Sequence, residues 1–218
     1  MPVLAATAEY GSAYRKTHAV YLTAHDAATT ETLNGVQFAY VGQDIDYTIN
    51  RGGLFFNTLS IPSDAAIISA TLSLYVDTDF STTDFNVTVV NGSALIYPPA
   101  QTGQNAVYGN LLAATASGGI ISSSALSGTA YNDISLNATG LGFITKAGTT
   151  KLALRSSRDI ASTVPTNDEY VYFNGDDPTN PAKLTISYEA KGNLFVKAER
   201  LHYVSYTGIE YYIQGIAV

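Results

Sequence analysis

A chain of 218 residues can bury one sizeable core, and all-β folds of this length are commonly a single domain. Hydrophobic residues make up 46% and charged ones 13%, with 16 tyrosines and 18 glycines, which excludes a disordered chain and favours short strands joined by small-residue turns. The formal net charge of −7 argues against nucleic acid as a partner, and the absence of cysteine excludes disulfides and thiolate metal sites.

In chain order, residues 1–18 read as an N-terminal arm. They lack the basic start and sustained apolar core of a secretory signal, and no run approaches a membrane span, so no membrane insertion is expected. Gln37 to Val41 and Asp46 to Ile49 are strand candidates. From Leu54 to Val76 the chain reads as an apolar run, a Ser60-Ile61-Pro62 break and a strictly alternating strand. Ala70, Leu72, Leu74 and Val76 fall on one face, with Ser69, Thr71, Ser73 and Tyr75 on the other. Pro62 cannot donate to a ladder, so Ile61 to Asp64 is expected to form a corner.

Phe85 to Val89 alternates in the same way. Pro98 to Gly128 is poor in pattern and reads as a long surface connection holding at most one strand, an ordinary solvated loop or else a candidate binding edge. Thr139 to Lys146 is a short amphipathic piece ended by Gly148. Lys151 to Arg155, Glu169 to Phe173 and Lys183 to Tyr188 return to strand periodicity. Many short strands with hardly any helix predict an all-β fold, a jelly-roll β-sandwich of two antiparallel sheets over 19–189. Leu72, Leu74, Val87, Val89, Leu152, Leu154, Leu184 and Ile186 should share its core.

Residues 190–218 change in texture and are rich in Tyr, Phe and Ile. They read as a C-terminal β-extension for assembly or docking, with Phe195, Leu201, Tyr203, Tyr211, Tyr212 and Ile213 as candidate interface residues. Completion of the domain's own sheet is the competing expectation.

The segments also occur in a familiar order. Arg51, the apolar run, Ser60-Ile61-Pro62 and the Ala70-Thr71-Leu72-Ser73-Leu74-Tyr75-Val76 strand come first. Leu136 to Leu141, Leu152 to Ser156, Val171 to Asn174 and Pro181 to Tyr188 follow. This order resembles the DNRLRE-type domain, a jelly roll related to carbohydrate-binding modules that occurs in cell-surface and bacteriophage proteins. One departure is Asn57, where that family carries aspartate.

Candidates for chemistry are sparse. His18, His25 and His202 are the neutral-pH acid-base groups, and Ser12, Ser93 and Ser127 sit near glycine without forming a nucleophile elbow. The acidic clusters Asp44 with Asp46, Asp77 with Asp79, Asp84, and Asp176 with Asp177 occupy turn-like sequence, where aspartate caps backbone. Asp77 to Asp79 and Asn174 to Asp177 offer oxygen ligands, so structural calcium stays open, while no other cofactor is expected. Tyr97, Tyr108, Tyr131, Tyr170 and Tyr172 are candidates for a sugar platform or a protein interface.

Together with the resemblance, these features lead to the expectation of a non-enzymatic structural or attachment protein of a virus particle, a bacteriophage tail or capsid-surface component. Its partners would be other virion proteins or copies of itself, with a host surface glycan as a further candidate. The alternative is a carbohydrate-binding or adhesive module of a secreted or cell-surface protein.

Overall fold

The computed structural model describes residues 1–30, 32–99 and 104–190. Its strands are β1 (Val3–Thr17), β2 (Thr32–Val36), β3 (Phe38–Gln43), β4 (Thr48–Asn57), β5 (Ala66–Asp79), β6 (Asn86–Asn91), β7 (Gly119–Ser122), β8 (Tyr131–Ser135), β9 (Thr149–Ser156), β10 (Glu169–Asn174) and β11 (Lys183–Glu189). Short helices lie between them: α1 (Tyr21–His25), α2 (Ala106–Asn110), α3 (Ala138–Leu141) and α4 (Ser157–Ile160). Among the described residues no helix is long and apolar enough to cross a membrane.

All strand pairings are antiparallel, and six strands close a ring in the order β1, β4, β3, β10, β5, β11 and back to β1. The protein is therefore all-β with a barrel at its centre, and closure satisfies the ladder groups around the ring. The remaining strands extend it: β2 beside β1, β8 beside β5, and β9, β6 and β7 in succession from β4.

Residues 1–18 are not an arm outside the sheets. Most of them form β1, whose first residues pair with β11 and whose remainder pairs with β4 and β2. Mixed polar sequence hid a strand that is buried mainly through small residues such as Ala6, Ala8 and Ala13. Near Gly11 the barrel is pinched. A Cβ there would lie 2.9 Å from the Phe38 carbonyl carbon, and one on Gly175 would lie 2.5 Å from the Gly11 Cα, so backbones approach where only glycine fits.

The main core collects alternate residues from most strands. Leu72, Leu74, Val87, Val89, Leu152, Leu154, Leu184 and Ile186 all belong to it, as their alternation predicts, together with Ala70, Val76, Val171 and Phe173. Ile61 is buried in the same core, within the corner that carries the chain from β4 to β5.

A second core lies on the other face of β4 and β9. Leu54 and Phe56 face the main core while Ile49 and Phe55 face the second, so β4 is buried from Thr48 to Phe56. Consecutive apolar residues, as in Leu54-Phe55-Phe56, suit a strand covered on both sides. The cover comes from α1, from α2 and from Leu95 and Leu111. Part of the pattern-poor Pro98 to Gly128 stretch, among the described residues, is consequently interior. Val107, Tyr108 and Leu111 are fully buried, which corrects the expectation of a surface connection around α2, while β7 supplies the one strand expected in the stretch.

Candidate functional site

Strands β3 and β10 pair with Tyr172 opposite Tyr40, and both turn their odd partners inward. Ala39, Val41, Val171 and Phe173 go into the core, so Phe38, Tyr40, Tyr170 and Tyr172 are left half-exposed on the outer face. Phe80, just beyond β5, joins them at 41% exposure. The rings form a continuous strip. Tyr40 stacks on Tyr172 at 3.8 Å between centroids, Phe38 on Tyr40 at 6.1 Å, and Phe80 on Tyr170 at 4.8 Å.

Polar groups frame this strip. Arg15 from β1 donates to the Tyr172 hydroxyl at 3.1 Å, and its guanidinium lies 5.6 Å from the centre of the Tyr40 ring. At the β5 edge the register slips by one residue, because Tyr172 faces Thr78 and Phe173 faces Val76, leaving Asp77 as an unpaired bulge. Bulges of this kind re-aim a side chain. Burial, then Tyr172 and Asp77, raise the Tyr40 hydroxyl above its ordinary pKa against the pull of Arg15. Burial, Tyr172, Asp168 and Asp44 do the same for Tyr170. The strip is thus an aromatic surface with a mainly acidic rim.

A different cluster lies beneath the second core. Arg51, Arg155 and Asp159 are fully buried. Arg51 donates through Nε and Nη2 to the two Asp159 oxygens at 3.0 and 2.8 Å, and Arg155 Nε donates to Oδ2 at 2.7 Å. The remaining guanidinium hydrogens find backbone carbonyls of His25, Tyr108, Leu111, Leu112 and Ala114. Arg51 also lies 4.1 Å from the Tyr108 ring centre. Burial pushes the Asp159 carboxyl up, but the charge and hydrogen bonds of Arg51, then of Arg155, outweigh it and hold it below the usual carboxylate range. Every polar atom is answered within the protein, which is the signature of a structural centre.

Beside it runs a serine, histidine and aspartate line that sequence spacing concealed. Ser162 Oγ is 3.3 Å from His25 Nε2, and His25 Nδ1 is 2.5 Å from Asp26 Oδ1. Ser162 adopts φ 52°, as nucleophiles on tight turns do. The hydrogen bonding points elsewhere. His25 Nε2 donates to the Asp159 carbonyl at 2.7 Å, closer than the serine, so the nitrogen that would accept the serine proton is already committed.

The other sequence candidates scatter. Tyr108 is buried with its hydroxyl donating to Ala24, Tyr131 packs on Tyr75 under Lys183, and Tyr97 donates to Glu9 beside Tyr10. His18 accepts from the Val20 amide, Ser12 is buried against Gly53, Ser93 lies in a turn, and the Ser127 amide donates to the Asn132 side chain. Asp44, Asp79 and Asp177 each cap nearby amides, and Asp84 accepts from Ser123. One Asp176 oxygen is buried without a partner, and burial raises its carboxyl. Among the described residues no three His, Cys, Asp or Glu side chains gather as a metal site. His202, Phe195, Leu201, Tyr203, Tyr211, Tyr212 and Ile213 lie outside the described residues.

No family model matches the chain, and no curated protein matches it either.

Proposed function

We propose that this protein is a non-enzymatic attachment or structural component of a virus particle, a bacteriophage tail or capsid-surface protein built on a jelly roll of the carbohydrate-binding kind. The observation that carries the binding part is the aromatic strip of Phe38, Tyr40, Tyr170, Tyr172 and Phe80, whose rings suit the apolar faces of sugar units. The DNRLRE-like order of segments supports the virion setting, with 190–218 as the part that docks to other virion proteins or to further copies. An adhesive module of a secreted or cell-surface protein is the second reading, and the same strip favours it equally.

Binding to neutral oligosaccharides, followed by calorimetry on the full chain, tests the shared core of both. Tyr172→Ala combined with Phe80→Ala is expected to weaken binding roughly tenfold or more while the melting temperature holds, because truncating central aromatic contacts costs the most. Undiminished binding in the double variant would move the site elsewhere. Release of reducing ends that disappears in Ser162→Ala would show an enzyme instead.

A further inference from the structure

The rim of the strip carries a second message about its ligand, one that rests on the reading above. Asp168 lies two residues before Tyr170, the first strip residue of β10, and Asp44 sits in the turn after β3. The segment after β5 is laced to that end of β10, with the Phe80 amide donating to the Tyr170 carbonyl at 3.1 Å and the Thr82 amide donating to the Asp168 carbonyl at 2.8 Å. Glu169 pairs with Gln43, so Asp168 and Asp44 stand together just beyond the Tyr170 end of the strip, where Phe80 stacks on Tyr170, and Asp77 sits in the bulge opposite the Tyr172 end. Arg15 is drawn to the Tyr40 end, where Asn50 and Tyr172 already accept its hydrogens.

We infer that the strip takes a glycan bearing protonated amines, a chain of free amino sugars, with a sugar face on Phe80 and an amine between Asp44 and Asp168. The chemistry is complementary on two counts. A cation above a tyrosine ring is attracted by the ring's negative face, as Arg15 is above Tyr40, and a carboxylate beside it adds an exposed ion pair. A uronic acid chain would place like charges against the same rim.

The test compares three oligomers of equal length on the full chain: a glucosamine oligomer at a pH where its amines are protonated, its N-acetylated counterpart, and a galacturonate oligomer. The amine form is expected to bind about five- to tenfold more tightly than the acetylated form, the gain that one ring-bound cation and one exposed ion pair supply. The galacturonate should bind weakest, and rising salt should erase the amine's advantage. Asp168→Asn, at a side chain that caps no backbone group among the described residues, should reduce the preference and leave binding of the acetylated oligomer unchanged. Equal binding of the amine and acetylated forms, or a preference that survives in Asp168→Asn, overturns the inference and leaves the strip as a neutral sugar platform. Failure of all three oligomers to bind overturns the strip as a glycan site altogether.

Discussion

Asp159 holds two guanidinium groups in a buried interior, and among the described residues neither has another carboxylate within bonding distance. Asp159→Asn is expected to cost about 3–5 kcal/mol, since breaking a buried pair leaves uncompensated charge. For a protein of this size that is roughly a 10 °C fall in melting temperature. The same residue sets a pH dependence. Its carboxyl lies below the usual range in the folded state and near about 3.9 in an unfolded chain, so its contribution is complete above that unfolded value. It is lost as pH falls from there toward the lowered folded value. Urea midpoints measured across acidic pH should decline in the wild type, and less steeply in Asp159→Asn. A variant as stable as the wild type at neutral pH would remove the ion cluster from any structural role. Arg155 was visible in the sequence as the end of an alternating strand and Arg51 as the residue ahead of an apolar run, but nothing in their spacing announced a shared carboxylate. Arg155 and Asp159 are four residues apart, yet a strand ends between them, so the helical reading of that interval did not apply.

At the level of elements, β5 shows what periodicity can fix. Leu72 pairs with Leu184 on one side and Ile134 on the other, all in the main core, so Leu72→Asp buries a carboxylate among aliphatics. The penalty of several kcal/mol rivals a typical total stability, and the variant should lose its cooperative thermal transition by circular dichroism. An unchanged melt would put Leu72 on the wrong face. Alternation succeeded here because each such strand has one face to hide. It was silent for α2 and its neighbours, where Val107, Tyr108 and Leu111 are buried from a segment too short to repeat a helical period. The aromatic strip was half legible. Phe38 and Tyr40, and Tyr170 and Tyr172, each stand two apart, but only the pairing of β3 with β10 sets the two pairs side by side.

For the molecule as a whole, β11 enters between β1 and β5 and completes the ring by Glu189. Deleting Lys191 to Val218 is expected to leave a soluble protein with a cooperative melt that no longer assembles, as judged by size-exclusion chromatography beside the full chain. A truncated chain that fails to fold would place that segment in the domain's own sheet. Strand β5 also gives the molecule two poles. Ala66 pairs with Glu189 where the described chain runs out, whereas Asp79 and Phe80 at the far end meet β10 and the aromatic strip. Fourteen residues of strand separate them, roughly 45 Å at ordinary rise. Copies fastened side by side at the first pole would all aim their rings the same way, so a polymeric ligand could engage many at once. Each contact could then be weak and quickly reversible while the array held fast, since avidity rises with the local concentration of further sites rather than with the strength of any one.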